Sequence, residues 1–341
     1  MSFANQFPAI SIDNRSLSGK LGNINQRRKK MLKRNSQSQI RWILALGIVL
    51  SLWSFQSFAQ TVELKGNWNP QVKARLEALI AANANQEKVC VFDFDNTTLC
   101  RDIGEATIAA MNEAGKLTKK TCNKAIAPEF VLKGKKITLA TSNNLMDYYE
   151  DFLSATSHHE METTPYENGY GWVVQAMAPG TPADWLKYTK KAYAKGKSIN
   201  DAKDPKLNET KINGYRVPFL YPEMVELYGV LLSNGYDVYV MSASNVHTVR
   251  YIVKNYLNPQ IRKSFGEKLG VAPDHVLGVS LLMNDDRTGE LVKDPYLVKE
   301  NKKYADLDEK ELSHYHLTNQ ICYPMTGYFG KLANIDIANS I

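Results

Sequence analysis

The stretch KVCVFDFDNTTLC, Lys88 to Cys100, joins an apolar run to two aspartates, Asp93 and Asp95, one residue apart. Lys88 to Phe94 lacks strict alternation, so it reads as a strand covered on both faces, as in parallel sheets. Ligands of open α/β sheets gather beyond the carboxyl ends of the strands, and the aspartates sit at that end. Two like charges there repel and lose hydration, a cost that a cation or a catalytic role would offset. The plainer alternative is a polar turn in which Asp95 caps the next helix.

The flanks extend the pattern. Upstream, NPQVKARLEALIAANANQ predicts a helix with Asn69 as N-cap, Pro70 at its first position, and Val72, Leu76, Leu79 and Ile80 on one face. Downstream, DIGEATIAAMNEAG predicts a helix stopped by Gly115. Farther on, YPEMVELYGVLLSNG reads as a helix between Pro222 and Gly235. YDVYVMSASN reads as a second buried strand ending in small polar residues, and VHTVRYIVKNYL as a helix. VLGVSLL and GELVKDPY, joined by MNDDRT, predict a hairpin or paired strands. Residues 116–218 are rich in aromatics and polar turns. They predict helices over Asn143–Thr156 and Pro182–Lys195 and no strand of parallel-core type. The expected fold is α/β: a doubly wound parallel sheet from residues 60–115 and 219–341, with residues 116–218 as an inserted, mostly helical cap.

A chain of 341 residues is long enough for this core and cap. The net charge of +7 is misleading, because residues 1–59 hold nine Lys or Arg and one acid, Asp13. The remainder is close to neutral, which argues against a nucleic-acid partner. Within that segment, RRKKMLKR is a basic n-region and Trp42–Trp53 an apolar run of h-region length. Ser57 and Ala59 sit at the −3 and −1 positions of a cleavage site. This is the layout of a bacterial signal peptide, with Met31 a possible true start. It predicts a periplasmic or secreted protein with no stable membrane association after cleavage; an uncleaved anchor is the alternative. Export permits disulfides among Cys90, Cys100, Cys122 and Cys322. Cys100 with Cys122 is the preferred pair, and Cys90, inside the strand, reads as a buried free thiol. No Cys or His spacing suggests zinc.

VFDFDNTTL resembles motif I, Asp-x-Asp-x-Thr, of the phosphatases of the haloacid dehalogenase superfamily. The resemblance implies Asp93 as the nucleophile that becomes an aspartyl phosphate. It implies Asp95 as the acid that protonates the leaving oxygen and later activates water, with Thr97 among the substrate-binding groups. It also implies Mg²⁺, held by the Asp93 carboxylate and the Asp95 carbonyl. VYVMSASN resembles motif II, whose Ser242 would hydrogen-bond the phosphoryl group. YPMTGYFGKLANI resembles motif III, whose Lys331 would neutralise charge on the phosphoryl group and Asp93. Alone, Ser242 would read as a turn residue and Lys331 as a solvated charge. Taken with the VLGV and ICYPMTGYFGK runs, most of residues 66–341 is similar to the exported bacterial phosphorylcholine phosphatases of this superfamily.

The insert carries its own signal. MDYYEDF and TTPYENGYGW gather Tyr148, Tyr149, Glu150, Tyr166, Tyr170 and Trp172. Aromatic faces with a carboxylate hold quaternary ammonium groups, which makes Tyr148, Glu150, Tyr166, Tyr170 and Trp172 candidates for a choline subsite. The same aromatics would equally serve as the insert's own core. His158, His159 and Glu160 read as solvated residues rather than metal ligands.

One expected element is missing. The superfamily's fourth motif, Gly-Asp-x-x-x-Asp after a strand, has no match in the ten residues after Lys331, which read as one helix containing Asp336. Asp285 and Asp286 precede the lysine and are poor substitutes. The sequence therefore predicts a truncated or altered version of a complete enzyme, with the edge of the Asp93 strand uncovered. The expected function is an exported, Mg²⁺-dependent phosphomonoesterase acting on phosphorylcholine. The alternatives are a broad acid phosphatase and an impaired phosphocholine- or phosphate-binding protein.

Overall fold

The computed structural model describes residues 62–157, 169–178, 180–200, 211–294, 309–323, 325–326 and 331. The N-terminal segment expected to be a signal peptide, Tyr166, the His158–Glu160 run and Asp336 lie outside the described residues. Residues Thr61–Ile341 form one compact unit.

Asn69 caps α1 (Pro70–Asn83), its side-chain oxygen accepting from the Gln71 and Val72 amides. Only Ile80 of the expected apolar face is buried; Val72 and Leu79 are exposed, because no described element packs over them. β1 (Val89–Phe92) and β2 (Leu99–Cys100) follow, then α2 (Ile103–Glu113), capped by Asp102 and stopped by Gly115 in the left-handed region. The insert opens with a hairpin of β3 (Phe130–Leu132) and β4 (Lys135–Ile137). Helices α3 (Leu145–Ser157), α4 (Gly169–Met177) and α5 (Pro182–Asn200) follow, then a second hairpin of β5 (Lys211–Ile212) and β6 (Tyr215–Arg216). β7 (Phe219–Leu220) pairs antiparallel with β2, so the chain leaves for the insert and returns from it side by side.

Next come α6 (Pro222–Ser233), β8 (Asp237–Asn245) and α7 (Val246–Ile252), which continues through a π turn at Val253–Leu257 into α8 (Asn258–Phe265). β9 (Val276–Val279) completes a three-stranded parallel sheet, ordered β1-β8-β9. Cys90 stands opposite Val238 on one side of β8, and Val240 opposite Val276 on the other. β10 (Leu281–Asp285) pairs antiparallel with β11 (Leu291–Val292), the expected hairpin around Asp286–Glu290. VLGV, expected in that hairpin, belongs instead to the parallel sheet. After α9 (Glu309–Leu312), β12 (Tyr315–Ile321) adds a third, unanticipated strand against β10. The result is a mixed α/β fold with a parallel sheet and helical insertions.

Two apolar clusters hold it together. One surrounds the parallel sheet and contains Ile80, Phe94, Tyr228, Val238, Val240 and Val249. The other joins α2 and the helices of the insert to β10 and β12, through Ile108, Phe152, Trp172, Trp185, Met283 and Tyr315. β1 differs from the expectation of a strand covered on both faces. Among the described residues it pairs only with β8, and Val89 and Val91 are exposed at 44% and 36%. The cysteines also differ: all four are free. Cys122 is buried in the insert's cluster, whereas Cys100 lies on β2 opposite Phe219. Cys90 is free as expected but only half-buried.

Candidate active site

The chain turns sharply after β1. The Phe94 carbonyl accepts the amides of Thr97, Thr98 and Leu99, and Asn96, at a positive φ, exchanges main-chain and side-chain hydrogen bonds with Arg101. This tight loop sets Asp93 and Asp95 in different surroundings. Asp93 is exposed; its Oδ1 accepts the Phe94 amide at 2.9 Å and pairs with Lys331 Nζ at 2.8 Å. Its carbonyl is braced by the buried Thr98 hydroxyl at 2.8 Å, which also meets Tyr228 Oη. Thr97 is exposed on the turn and bonds Phe94 through its amide, so the buried hydroxyl of this loop belongs to its neighbour Thr98.

Asp95 points inward. Its Oδ1 accepts the Ile103 amide at 2.8 Å, and its Oδ2 accepts from Ser242 and Ser244 at 2.9 and 2.8 Å. These donors favour the carboxylate. Burial, and then the charge of Asp102, outweigh them and push the Asp95 carboxyl up to about 8. Ser244 Oγ also lies 3.3 Å from Asp102 Oδ1. A hydroxyl has one proton to donate, so contact with both acids is satisfied best when one of them is protonated. Gly104 permits this arrangement: a Cβ there would lie 2.4 Å from Ser244 Oγ.

Asp102 and Glu105 extend the acidic group. Asp102 Oδ1 caps the Glu105 amide at 2.8 Å. Both carboxyls are raised by burial, then by neighbouring charge: Glu105 acting on Asp102, and Asp95 and Glu150 acting on Glu105. Tyr149, buried, hydrogen-bonds Glu105. Asp102, Glu105, Tyr149, Tyr170 and Ser244 line a cavity of about 10 Å³, room for roughly one water. A larger group enters only if these side chains move.

The aromatic candidates therefore separate. Tyr170 lines this cavity. Tyr148 and Trp172 do not: both are fully buried and packed against each other and against Phe152. Trp172 Nε1 donates to the Ile126 carbonyl and Tyr148 Oη to the Pro128 carbonyl, so both serve as insert core. Glu150 is exposed and accepts from Tyr215 Oη. The residues missed as site candidates are Asp102, Glu105 and Ser244. Asp102 and Glu105 are spaced as a helix-capping pair, and that structural duty hid their position beside Asp95. Ser242 stands beside Asp95 and Lys331 beside Asp93. Ser242 is fully buried on Asp95, and its carbonyl accepts from Thr326.

Mg²⁺ prefers six oxygens in octahedral array, commonly one or two carboxylates plus phosphate and water. Asp93 offers one oxygen beyond that held by Lys331, while both Asp95 carboxylate oxygens are engaged. Among the described residues no three His, Cys, Asp or Glu converge on a cation position. The described groups thus make an incomplete Mg²⁺ site.

No family model matches the chain. It is a distant relative of the phosphorylcholine phosphatase of Pseudomonas aeruginosa, 28% identical over 279 residues, which span 81% of this chain and 71% of that enzyme. A solved structure of a conserved protein of unknown function from Anaerococcus prevotii aligns with 73% of this chain and 80% of its own. The identity is 17% and the TM-score 0.34, a likeness too slight to build on.

Proposed function

We propose that this chain is a phosphomonoesterase with a haloacid dehalogenase-like core that hydrolyses phosphorylcholine through an aspartyl phosphate. The observation that carries the reading is the contrast between two aspartates one residue apart. Asp93 is exposed and paired with Lys331; Asp95 is partly buried and held by Ser242, Ser244 and the Ile103 amide. Two carboxyls with such different partners, one exposed beside a lysine and one raised by its surroundings, are suited to divided labour as nucleophile and acid. An Asp93 oxygen attacks phosphorus as the bond to the choline oxygen breaks. Asp95, protonated near neutral pH, gives its proton to that oxygen. The Asp95 carboxylate then takes a proton from water, whose oxygen attacks phosphorus and frees Asp93 with release of phosphate. Lys331 offsets the negative charge gathered at Asp93. Mg²⁺, if bound, would draw on the free Asp93 oxygen and the Asp95 carbonyl and would lower the repulsion between phosphate and carboxylate.

The choline half of the reading rests on the acidic and aromatic lining beside Asp95. Glu105, Asp102, Tyr149 and Tyr170 are the groups that would face a trimethylammonium head once they move apart to admit it. The reading includes export, supported by the basic and apolar N-terminal runs. Phosphate release from phosphorylcholine and p-nitrophenyl phosphate, with and without Mg²⁺, tests the activity. Release from neither substrate refutes it. Saturable phosphorylcholine binding without release would instead favour a binding protein.

A further inference from the structure

A second cavity, of about 640 Å³, lies between α5, α7, the π turn, α8 and α9. Its size falls within the roughly 300–1,000 Å³ of small-molecule sites. Its lining residues are separate from those of the cavity beside Asp95.

The lining is divided by chemistry. Leu186, Val271, Val276 and Leu312 are buried and supply apolar lining. Lys190, Lys254 and Arg262 supply positive charge against one acid, Glu309. Arg250 also lines the cavity, but Asp294 grips it through both terminal nitrogens at 2.7 and 2.6 Å, so that pair is close to neutral. Lys190 and Lys254 are exposed and make no ion pair among the described residues.

Two further features point to a ligand. His247 lines the cavity and is 4% exposed, and its Nε2 has no hydrogen-bond partner among the described residues. A buried polar nitrogen without a partner is costly, and a ligand oxygen or hydroxyl would relieve it. Val253, Lys254 and Asn255, in the π turn, line the same cavity. Such turns interrupt a helix at a cost and recur at functional sites.

We propose that this cavity binds an organic anion with a single carboxylate head and an apolar body. The head sits among Lys190, Lys254 and Arg262, and the body lies against Val271, Val276 and Leu312. The excess of cations without an ion pair among the described residues selects the sign of the ligand, and the apolar lining excludes a bare inorganic anion as a strong binder. This proposal is independent of the phosphatase reading.

The test is calorimetric titration of the full chain with three probes: octanoate, acetate and octylammonium. Octanoate is expected to bind at least about tenfold more tightly than either, since acetate lacks the body and octylammonium reverses the head. Lys190→Glu with Lys254→Glu, both at exposed positions, is expected to weaken octanoate by about tenfold or more and to leave phosphate release unchanged. Ala272→Trp, which narrows the cavity without altering charge, is expected to weaken octanoate as well. Absence of octanoate binding overturns the proposal, as does octylammonium binding of equal strength in the parent chain. Octanoate affinity that survives both the charge reversal and the narrowing overturns it too.

Discussion

His247 offers a direct check on the buried electrostatics. It stands in the first turn of α7, 4% exposed, with its ring edge-on to Trp185. Burial lowers its pKa from the ordinary 6.5 to about 4; the nearby Asp294 opposes this and Arg250 adds to it. The folded protein thus holds a neutral imidazole where the unfolded chain holds a more basic one. Below the ordinary value the unfolded state binds more protons, so this contribution to stability is present at neutral pH and is lost as pH falls from 6.5 towards 4. A difference of about 2.5 pKa units corresponds to ~3 kcal/mol in full and ~2 kcal/mol at about pH 5.

His247→Gln removes the titration. The substitution shifts stability by a constant amount through altered packing, and that constant is the same at every pH. Asp95, Asp102 and Glu105 titrate in both proteins and cancel in the difference. Urea unfolding of parent and variant at about pH 7.5 and pH 5 is therefore expected to show a gap that moves by ~2 kcal/mol, with the parent losing more on acidification. A gap constant within ~0.5 kcal/mol would refute the reasoning, because His247 would then titrate alike in both states.

Asp93→Asn is expected to abolish phosphate release, since an amide cannot serve as the nucleophile; turnover within about tenfold of the parent overturns that role. Asp95→Asn is expected to cost more with phosphorylcholine than with p-nitrophenyl phosphate, whose leaving group needs less help from an acid, and equal losses would assign Asp95 a structural part. Glu105→Gln is expected to raise the Michaelis constant for phosphorylcholine by about tenfold and that for p-nitrophenyl phosphate much less, read from initial rates on both. Trp172→Ala is expected to destabilise the fold by ~3–5 kcal/mol, as loss of a buried ring does, and to lower both activities together; a selective loss on phosphorylcholine would return Trp172 to the substrate.

The parts legible from sequence were those fixed by local chemistry. The Asn69 cap, the left-handed stop at Gly115 and the β8 strand ending in serines are each written in a few neighbouring residues. Lys331 was legible only through its motif, and it stands 2.8 Å from Asp93. What failed depended on partners far away in the chain. Tyr148, Tyr149, Tyr170 and Trp172 look alike in sequence, yet Tyr148 and Trp172 serve the core alone, Tyr149 in the same cluster also meets Glu105, and Tyr170 lines the cavity beside Asp95. β12 went unseen because its polar positions are tolerated on the open side of a three-stranded sheet. Exposure of Val72 and Leu79 likewise follows from what does or does not pack over α1, which periodicity does not encode.

The open side of β1 bears on how this protein behaves in a crowd of its own copies. Val89 and Val91 stand exposed on a strand with one described partner, and Val72 and Leu79 are exposed on the preceding helix. An apolar strand with no described partner along one side is a template for another strand. Here the template runs straight into Asp93. A strand added along β1 would stiffen the turn that aims Asp93 at Lys331, so pairing there and the geometry of the charged pair would be joined. Amide exchange in Val89–Phe92 would then slow as protein concentration rises, and colloidal behaviour would be set by the same four residues that hold the carboxylate in place.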